Sequence, residues 1–392
     1  MKVLISGAGI AGLTLAGLLL KRGHKVQVFE RSDRLVEVGA GIQLSANAGH
    51  VLDALGLAPA VHARSFVPGS WHMRTYLTGE VANRIELGEH HERLHGCPYR
   101  TLHRADLQRL LVGCVQEQDP DAVVLGAEVT GYAESDGQVS LQLADGTRVC
   151  GDVVIAADGV HSVLRQQIVG PDKPIYSGNA AWRGTIDART LPADFSDGIT
   201  TSFMGPGRHM VMYWLGQREL LNFVAPVETA IPSEESWATK EDWGMLKSDF
   251  EGWHEDVQTV IDLMDRDACY RWALNIREPA TNWHTDRAVV IGDAAHATLP
   301  FLAQGAAMAM EDAAVLDRLL AQDADIPSVL ARFQAARRER TTRIVQGANK
   351  MSRMFHMESE AALKEGMIKG ADVARERDNW LYNYNPVTVP LQ

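Results

Sequence analysis

"VLISGAGIAGLTLAGLLLKRGHKVQVFE", residues 3–30, decides how the rest of the chain is read. Val3, Leu4 and Ile5 form a short apolar run that breaks at Gly7, Gly9 and Gly12, after which Leu13 to Lys21 consists of good helix formers. The order is strand, tight turn, helix. Gly7 permits the turn, Gly9 lets a pyrophosphate approach the backbone, and Gly12 allows the helix to pack closely on the sheet. Ala11 belongs to the same turn. The helix N-terminus then offers phosphate its unpaired N–H groups and the positive end of its dipole. A second strand, Lys25 to Phe29, delivers Glu30 to the place where an acid binds a ribose hydroxyl pair. Together these features predict an adenine-dinucleotide site at the start of the chain.

Composition is compatible with such a protein and argues against several others. At 392 residues the chain exceeds what one core usually supports, which predicts two domains. With 46% hydrophobic and 22% charged residues it is ordinary globular material. A net charge of −12 argues against a broad nucleic-acid surface. The one basic cluster, Arg337 to Arg343, is interrupted by Glu339 and reads as a solvated helix face. The chain enters a strand directly and has no apolar run approaching the ~20 residues of a membrane span, so a soluble cytoplasmic protein is expected. Cys97, Cys114, Cys150 and Cys269 are far apart without a CxxC pair, which predicts neither a metal site nor a disulfide framework.

Two later stretches extend the nucleotide fold. Residues 153–159, "VVIAADG", and 288–296, "AVVIGDAAH", are continuous apolar runs ending in an acid, as expected of parallel strands covered on both faces. The expected fold is therefore α/β, with a discontinuous Rossmann-like dinucleotide domain over residues 1–72, 101–175 and 276–345. Residues 180–190 and 208–227 are strand-like, the latter a hairpin across Gly216-Gln217, which predicts an inserted β-sheet substrate domain over 73–100 and 176–275. Helix formers dominate from Gln304, and residues 346–392 are expected to form a helical C-terminal segment.

The set "GAGIAG" at 7–12, "ADGVHSVLR" at 157–165 and "GDAAHATLPFLAQGAAMAMEDA" at 292–313 resembles the single-component FAD aromatic hydroxylases, the para-hydroxybenzoate hydroxylase-like group. The likeness runs to the C-terminal "YNYNPVTVP" and is nearest to the salicylate and 3-hydroxybenzoate hydroxylases and 6-hydroxynicotinate monooxygenase. It implies bound FAD, with Glu30 and Arg31 at the adenosine ribose, Arg104 at the pyrophosphate or ribityl chain, and the Val129 backbone at adenine. Asp293 is implied as the ribityl acceptor. Asp158 is associated with the pyrophosphate and with transient NADH or NADPH binding, although any one such acid could simply cap a turn. The helix opening at Gln304-Gly305-Ala306 is implied to face the flavin pyrimidine edge, where its dipole stabilises the anion of reduced flavin.

The implied reaction is hydroxylation of an aromatic, phenolic compound with NAD(P)H and O₂ through a flavin C4a-hydroperoxide. Deprotonation makes a phenol a better nucleophile, so a base should stand near the ring hydroxyl. His209 and Tyr213 lie on one face of a strand, as a matching pair does in the nearest relatives, and are expected as proton acceptor and helper. With neutral histidine required, activity is expected to fall below about pH 6.5. Gln43 and Phe301 replace polar residues of some relatives and imply a less polar pocket that favours a phenol over a carboxylated pyridine. Arg183 is a candidate for a substrate carboxylate, and His296 for organising its own loop. Two alternatives remain open: a flavin monooxygenase of a larger polycyclic or antibiotic substrate, and a non-catalytic FAD redox sensor.

Overall fold

A computed structural model describes residues 1–35, 41–135, 137–193, 195, 198–230 and 240–391. At its centre the strand Lys2–Ser6 is buried from Val3 onward. It pairs in parallel with Lys25–Phe29 on one side and Val153–Ala156 on the other. Ala288–Val290 and Val123–Val124 complete a five-stranded parallel sheet at its two edges. The three apolar runs singled out in the sequence therefore lie side by side. The first helix spans Ile10–Lys21, starting earlier than Leu13, because its N-cap is Gly9 and Gly12 sits within its first turn.

Glycine is required in this turn for steric reasons. Gly7 has φ +102, and a Cβ there would collide with the Ala157 carbonyl. A Cβ on Gly12 would run into the Gly7 carbonyl and lie 3.2 Å from the Ile5 side chain. The turn and the helix thus interlock through backbone atoms alone.

A seven-stranded sheet forms the second layer, ordered Tyr270–Ile276, Ile175–Asp187, Leu220–Glu228, Arg208–Leu215, Thr200–Gly205, Ser70–Thr75, Val81–Glu86. The expected hairpin is present, Arg208–Leu215 pairing antiparallel with Leu220–Glu228. Its outer face carries a core with Phe203, Phe223, Leu246, Phe250 and Val257. All five expected domain boundaries fall inside elements: 72/73 within Ser70–Thr75, 100/101 within Arg100–His103, 175/176 within Ile175–Asp187, 275/276 within Tyr270–Ile276, and 345/346 within the helix Ile326–Phe355. That helix is continuous because one buried stripe, including Phe333, Arg337, Ile344, Ala348 and Phe355, runs its whole length. Among the described residues no helix is long and apolar enough to cross a membrane.

The expectation for Arg337 to Arg343 needs correction. Arg338, Glu339 and Arg343 are exposed, but Arg337 and Arg340 are buried. They face Glu311 and Asp312, both fully buried on the helix Gly305–Gln322. Arg337 Nε donates to Asp312 Oδ1 at 2.8 Å and its terminal nitrogen to Glu311 Oε2 at 2.6 Å. Arg340 binds both Glu311 oxygens, at 2.8 and 2.7 Å. Burial alone would raise the Asp312 carboxyl, yet His296 and Arg337 hold it down at about 2. Removing one partner of such a set leaves a buried charge exposed to low dielectric. Arg337→Met should therefore lower unfolding stability by about 3–5 kcal/mol in urea titration, whereas Glu339→Gln on the exposed face should change it by no more than about 0.5 kcal/mol.

Candidate active site

A cleft of about 300 Å³ opens between the two large sheets. Gly9, Ile10, Ala11, Gly159, Gly305 and Ala306 line one part of it. At Gly9 and Gly159 a Cβ would meet nothing within 4 Å, and at Gly305 only the Thr298 methyl at 3.8 Å. Two helices, Ile10–Lys21 and Gly305–Gln322, begin here with neither a side-chain cap bond nor an acid in the first turn. Their first N–H groups and positive dipole ends are thus available to an anion.

Neighbouring groups complete this half. Glu30 Oε2 accepts from the Ala8 N–H at 3.0 Å and Oε1 from Ser32 N–H at 3.1 Å, which holds the acid against the glycine turn. Arg31 beside it is exposed. The Ala127 N–H donates to the Glu30 carbonyl at 2.8 Å, so Val129, which opens the strand Val129–Ser135, lies close by in the fold. Arg104 begins the helix Arg104–Gln116 and lines the cleft, as does the exposed Asp293 at the start of Asp293–His296. Asp158 combines two behaviours. Its Oδ2 accepts from the Val163 N–H at 3.0 Å, capping Val163–Ile168, while Oδ1 is buried without a partner among the described residues. Burial raises the Asp158 carboxyl above its ordinary range. Open space over glycines, two uncapped helices and an orphaned carboxylate oxygen together fit a dinucleotide.

The other half of the cleft belongs to the seven-stranded sheet. His209, Val211 and Tyr213 project from Arg208–Leu215 into the cleft, as their spacing requires. His209 is held between the rings of Phe301 and Phe355, with centroids 5.0 and 4.9 Å away. Burial, reinforced by His356, lowers its pKa well below the ordinary imidazole value. Tyr213 moves the other way, burial outweighing Arg183 and a hydrogen bond from Gln43, so it stays protonated. Gln43 Oε1 also accepts from Tyr99 Oη at 2.7 Å. Gly41 is needed beside Tyr213, because a Cβ would come within 2.5 Å of its ring. Arg183 lies 3.8 Å over the Trp272 ring, and burial followed by repulsion from Arg104 pushes its guanidinium down to about 9. With two guanidiniums in the cleft, the surroundings are less apolar than Gln43 and Phe301 had suggested.

The profile of the FAD binding domain family matches residues 1–348. The chain belongs to that family. Within it the chain is a single-component FAD aromatic hydroxylase, as the resemblance implied. It is 37% identical to the 3-amino-4-hydroxybenzoate 2-monooxygenase of Streptomyces cremeus, over 91% of this chain and 88% of that one. It is 33% identical to the 3-hydroxybenzoate 6-hydroxylase of Polaromonas naphthalenivorans, over 98% and 96%. The crystal structure of Klebsiella pneumoniae HpxO complexed with FAD and uric acid superposes with a TM-score of 0.86, at 26% identity and 97% coverage of both chains.

For this hydroxylase, sequence reasoning overlooked Trp71, Phe355 and His356. Trp71 and Phe355 line the cleft, and His356 stands behind His209. Phe355 and His356 end a helix whose pattern reads as packing, and no local motif marks them. His296, by contrast, does what its position suggested, its Nε2 lying 2.6 Å from Asp312 Oδ2 beneath its own loop. Glu30→Ala should weaken FAD retention by about 1.5–3 kcal/mol, the worth of hydrogen bonds to a charged group. Fluorescence titration of the apoprotein with FAD measures this.

Proposed function

We propose that this flavin hydroxylase oxidises a single-ring phenolic acid at the expense of NAD(P)H and O₂. One observation carries the reading: His209 and Tyr213 share the cleft with the guanidiniums of Arg104 and Arg183. A carboxylate suits the cationic side and a ring hydroxyl the imidazole. Relatives named for single-ring acids, a 3-amino-4-hydroxybenzoate 2-monooxygenase and a 3-hydroxybenzoate 6-hydroxylase, support a single ring. A reaction that draws on NAD(P)H belongs in the cytoplasm, and the unpaired cysteines agree with that setting.

Residues of this chain have distinct tasks in the proposal. Gly7, Gly9, Ala11 and Gly12 form the pyrophosphate turn, Glu30 and Arg31 hold the ribose, and the Val129 backbone holds adenine. Arg104, Asp158 and Asp293 hold the middle of the cofactor. The N-terminus at Gly305 and Ala306 stabilises negative charge on the flavin ring. FAD, once reduced, supplies the activated oxygen. Arg183 anchors the substrate carboxylate, Phe301 and Gln43 bound the ring, Tyr213 donates to the ring oxygen, and neutral His209 accepts its proton. Apolar walls of Phe301 and Phe355 keep water from the reacting face.

Hydroxybenzoates should stimulate NAD(P)H oxidation more than the same phenols lacking the carboxyl group, and Arg183→Gln should remove that preference. Equal stimulation by both would sink the carboxylate assignment. His209→Ala should keep FAD and still consume NAD(P)H, while hydroxylated product falls by about 10²–10⁴-fold and H₂O₂ accumulates. The pH expectation shifts with the structure. Because burial lowers the His209 pKa, its neutral form is retained below pH 6.5 and lost only as pH falls through that lower value. Coupled turnover should therefore persist below pH 6.5, as product-to-NAD(P)H ratios across pH will show.

A further inference from the structure

Two hydrogen bonds lie behind His209, and the reading above uses neither. His209 Nδ1 is 2.8 Å from Nε2 of His356, a residue 147 positions away that ends the Ile326–Phe355 helix. His356 Nδ1 is 2.7 Å from Glu228 Oε1. The His356 side chain is 2% exposed and that of Glu228 is 54% exposed. Glu228 closes the strand Leu220–Glu228 and borders a surface groove with Asn349 and Arg353. The line thus runs from the cleft to solvent.

Chemistry orients this line in one direction. A carboxylate only accepts, so His356 carries its proton on Nδ1 and leaves Nε2 bare. A bare Nε2 must receive the Nδ1–H of His209. His209 is therefore left with its lone pair on Nε2, the nitrogen not engaged by His356. That is the tautomer a base requires. The charged groups around His356 are Glu228, which raises its pKa, and Arg208, which lowers it, with burial the larger effect.

The geometry points to a proton relay in which His209, His356 and Glu228 carry the phenolic proton from the cleft to solvent; it rests on His209 being the base. The phenol O–H proton moves to His209 Nε2, and the His209 Nδ1 proton moves to His356 Nε2. The His356 Nδ1 proton then moves to Glu228, which releases it to water. One proton leaves the substrate, one reaches solvent, and no electron changes hands. Each imidazole ends with its proton on the other nitrogen. When the ring oxygen is reprotonated as the product becomes aromatic, the same path runs backwards and restores the starting tautomers. His356 and Glu228 act through His209 and are positioning residues.

A relay changes how fast a bound phenol ionises, whereas a merely structural or electrostatic partner changes the pH at which it ionises. The test uses oxidised holoenzyme and 4-hydroxy-3-nitrobenzoate, whose phenolate is coloured, in stopped-flow pH jumps. Glu228→Gln and His356→Leu should each slow ionisation of the bound probe by about ten-fold or more and leave its midpoint pH unchanged. A wild-type rate in either variant, or a shifted midpoint with an unchanged rate, overturns the relay. If His356→Leu does not fold, the exposed Glu228→Gln decides alone. His209→Gln separates the two readings: slowing there alone keeps the base and removes the relay, while no slowing removes both. Failure of the probe to bind overturns the phenolic-acid pocket and the relay with it.

Discussion

Everything near the cofactor depends on a set of charges buried where water does not reach. Glu311 and Asp312 are adjacent on one helix, and each takes a different job. Asp312 accepts from the Gly292 N–H at 2.9 Å, immediately ahead of Asp293. Glu311 accepts from Asn47 at 2.5 Å, and Asn47 in turn donates to Gln304 at 2.9 Å, the residue before the helix begins. Gln304 itself donates to Ser45. The arginines that neutralise both acids come from the following helix. A densely paired polar network of this kind is rigid because every displacement strands a charge. It sets the position of two elements that line the cleft, the Asp293 turn and the N-terminus at Gly305.

The substrate side works by separation rather than neutralisation. Burial pushes His209 towards its neutral form and Tyr213 towards its protonated form. One low-dielectric surface therefore supplies a proton acceptor and a proton donor four residues apart on one strand, without any charge on either. Environments that drive neighbouring groups in opposite directions are how acid and base roles are assigned at one pH. The charge in this half is concentrated instead on Arg183, and the Trp272 ring lies under it.

Local motifs made the cofactor half legible. The glycine turn, the acid at Glu30 and the apolar runs at 153 and 288 each carry their meaning within a few residues, because backbone geometry is a short-range property. The pairing of His209 with Tyr213 was equally readable from strand periodicity. Distance in the chain defeated the rest. His356 meets His209 across 147 positions, and nothing near it in sequence marks a pocket. Arg337 and Arg340 were misread because their number and sign were weighed without their phase. They share the helix stripe with Phe333 and Ile344, whereas Arg338, Glu339 and Arg343 turn outward.

The order of the parallel sheet has a consequence for how the protein comes into being. Its central strand, Lys2–Ser6, is made before every strand it joins, yet the Lys2 N–H awaits the Asp152 carboxylate, 150 residues later. Ribosomes adding about 5–20 residues per second take roughly 8–30 s to cover that distance. The neighbouring strand Val153–Ala156 then waits for Ala288–Val290 in turn. An exposed, β-branched edge thus persists on the nascent chain through most of translation. The fingerprint at residues 7–12 cannot reach its finished surroundings at the ribosome while only the N-terminal third exists, since the other wall of its cleft is built from Asp293 and Gly305. The cleft that fits a dinucleotide is consequently complete only after residue 305 has been made, well after the motif itself emerges.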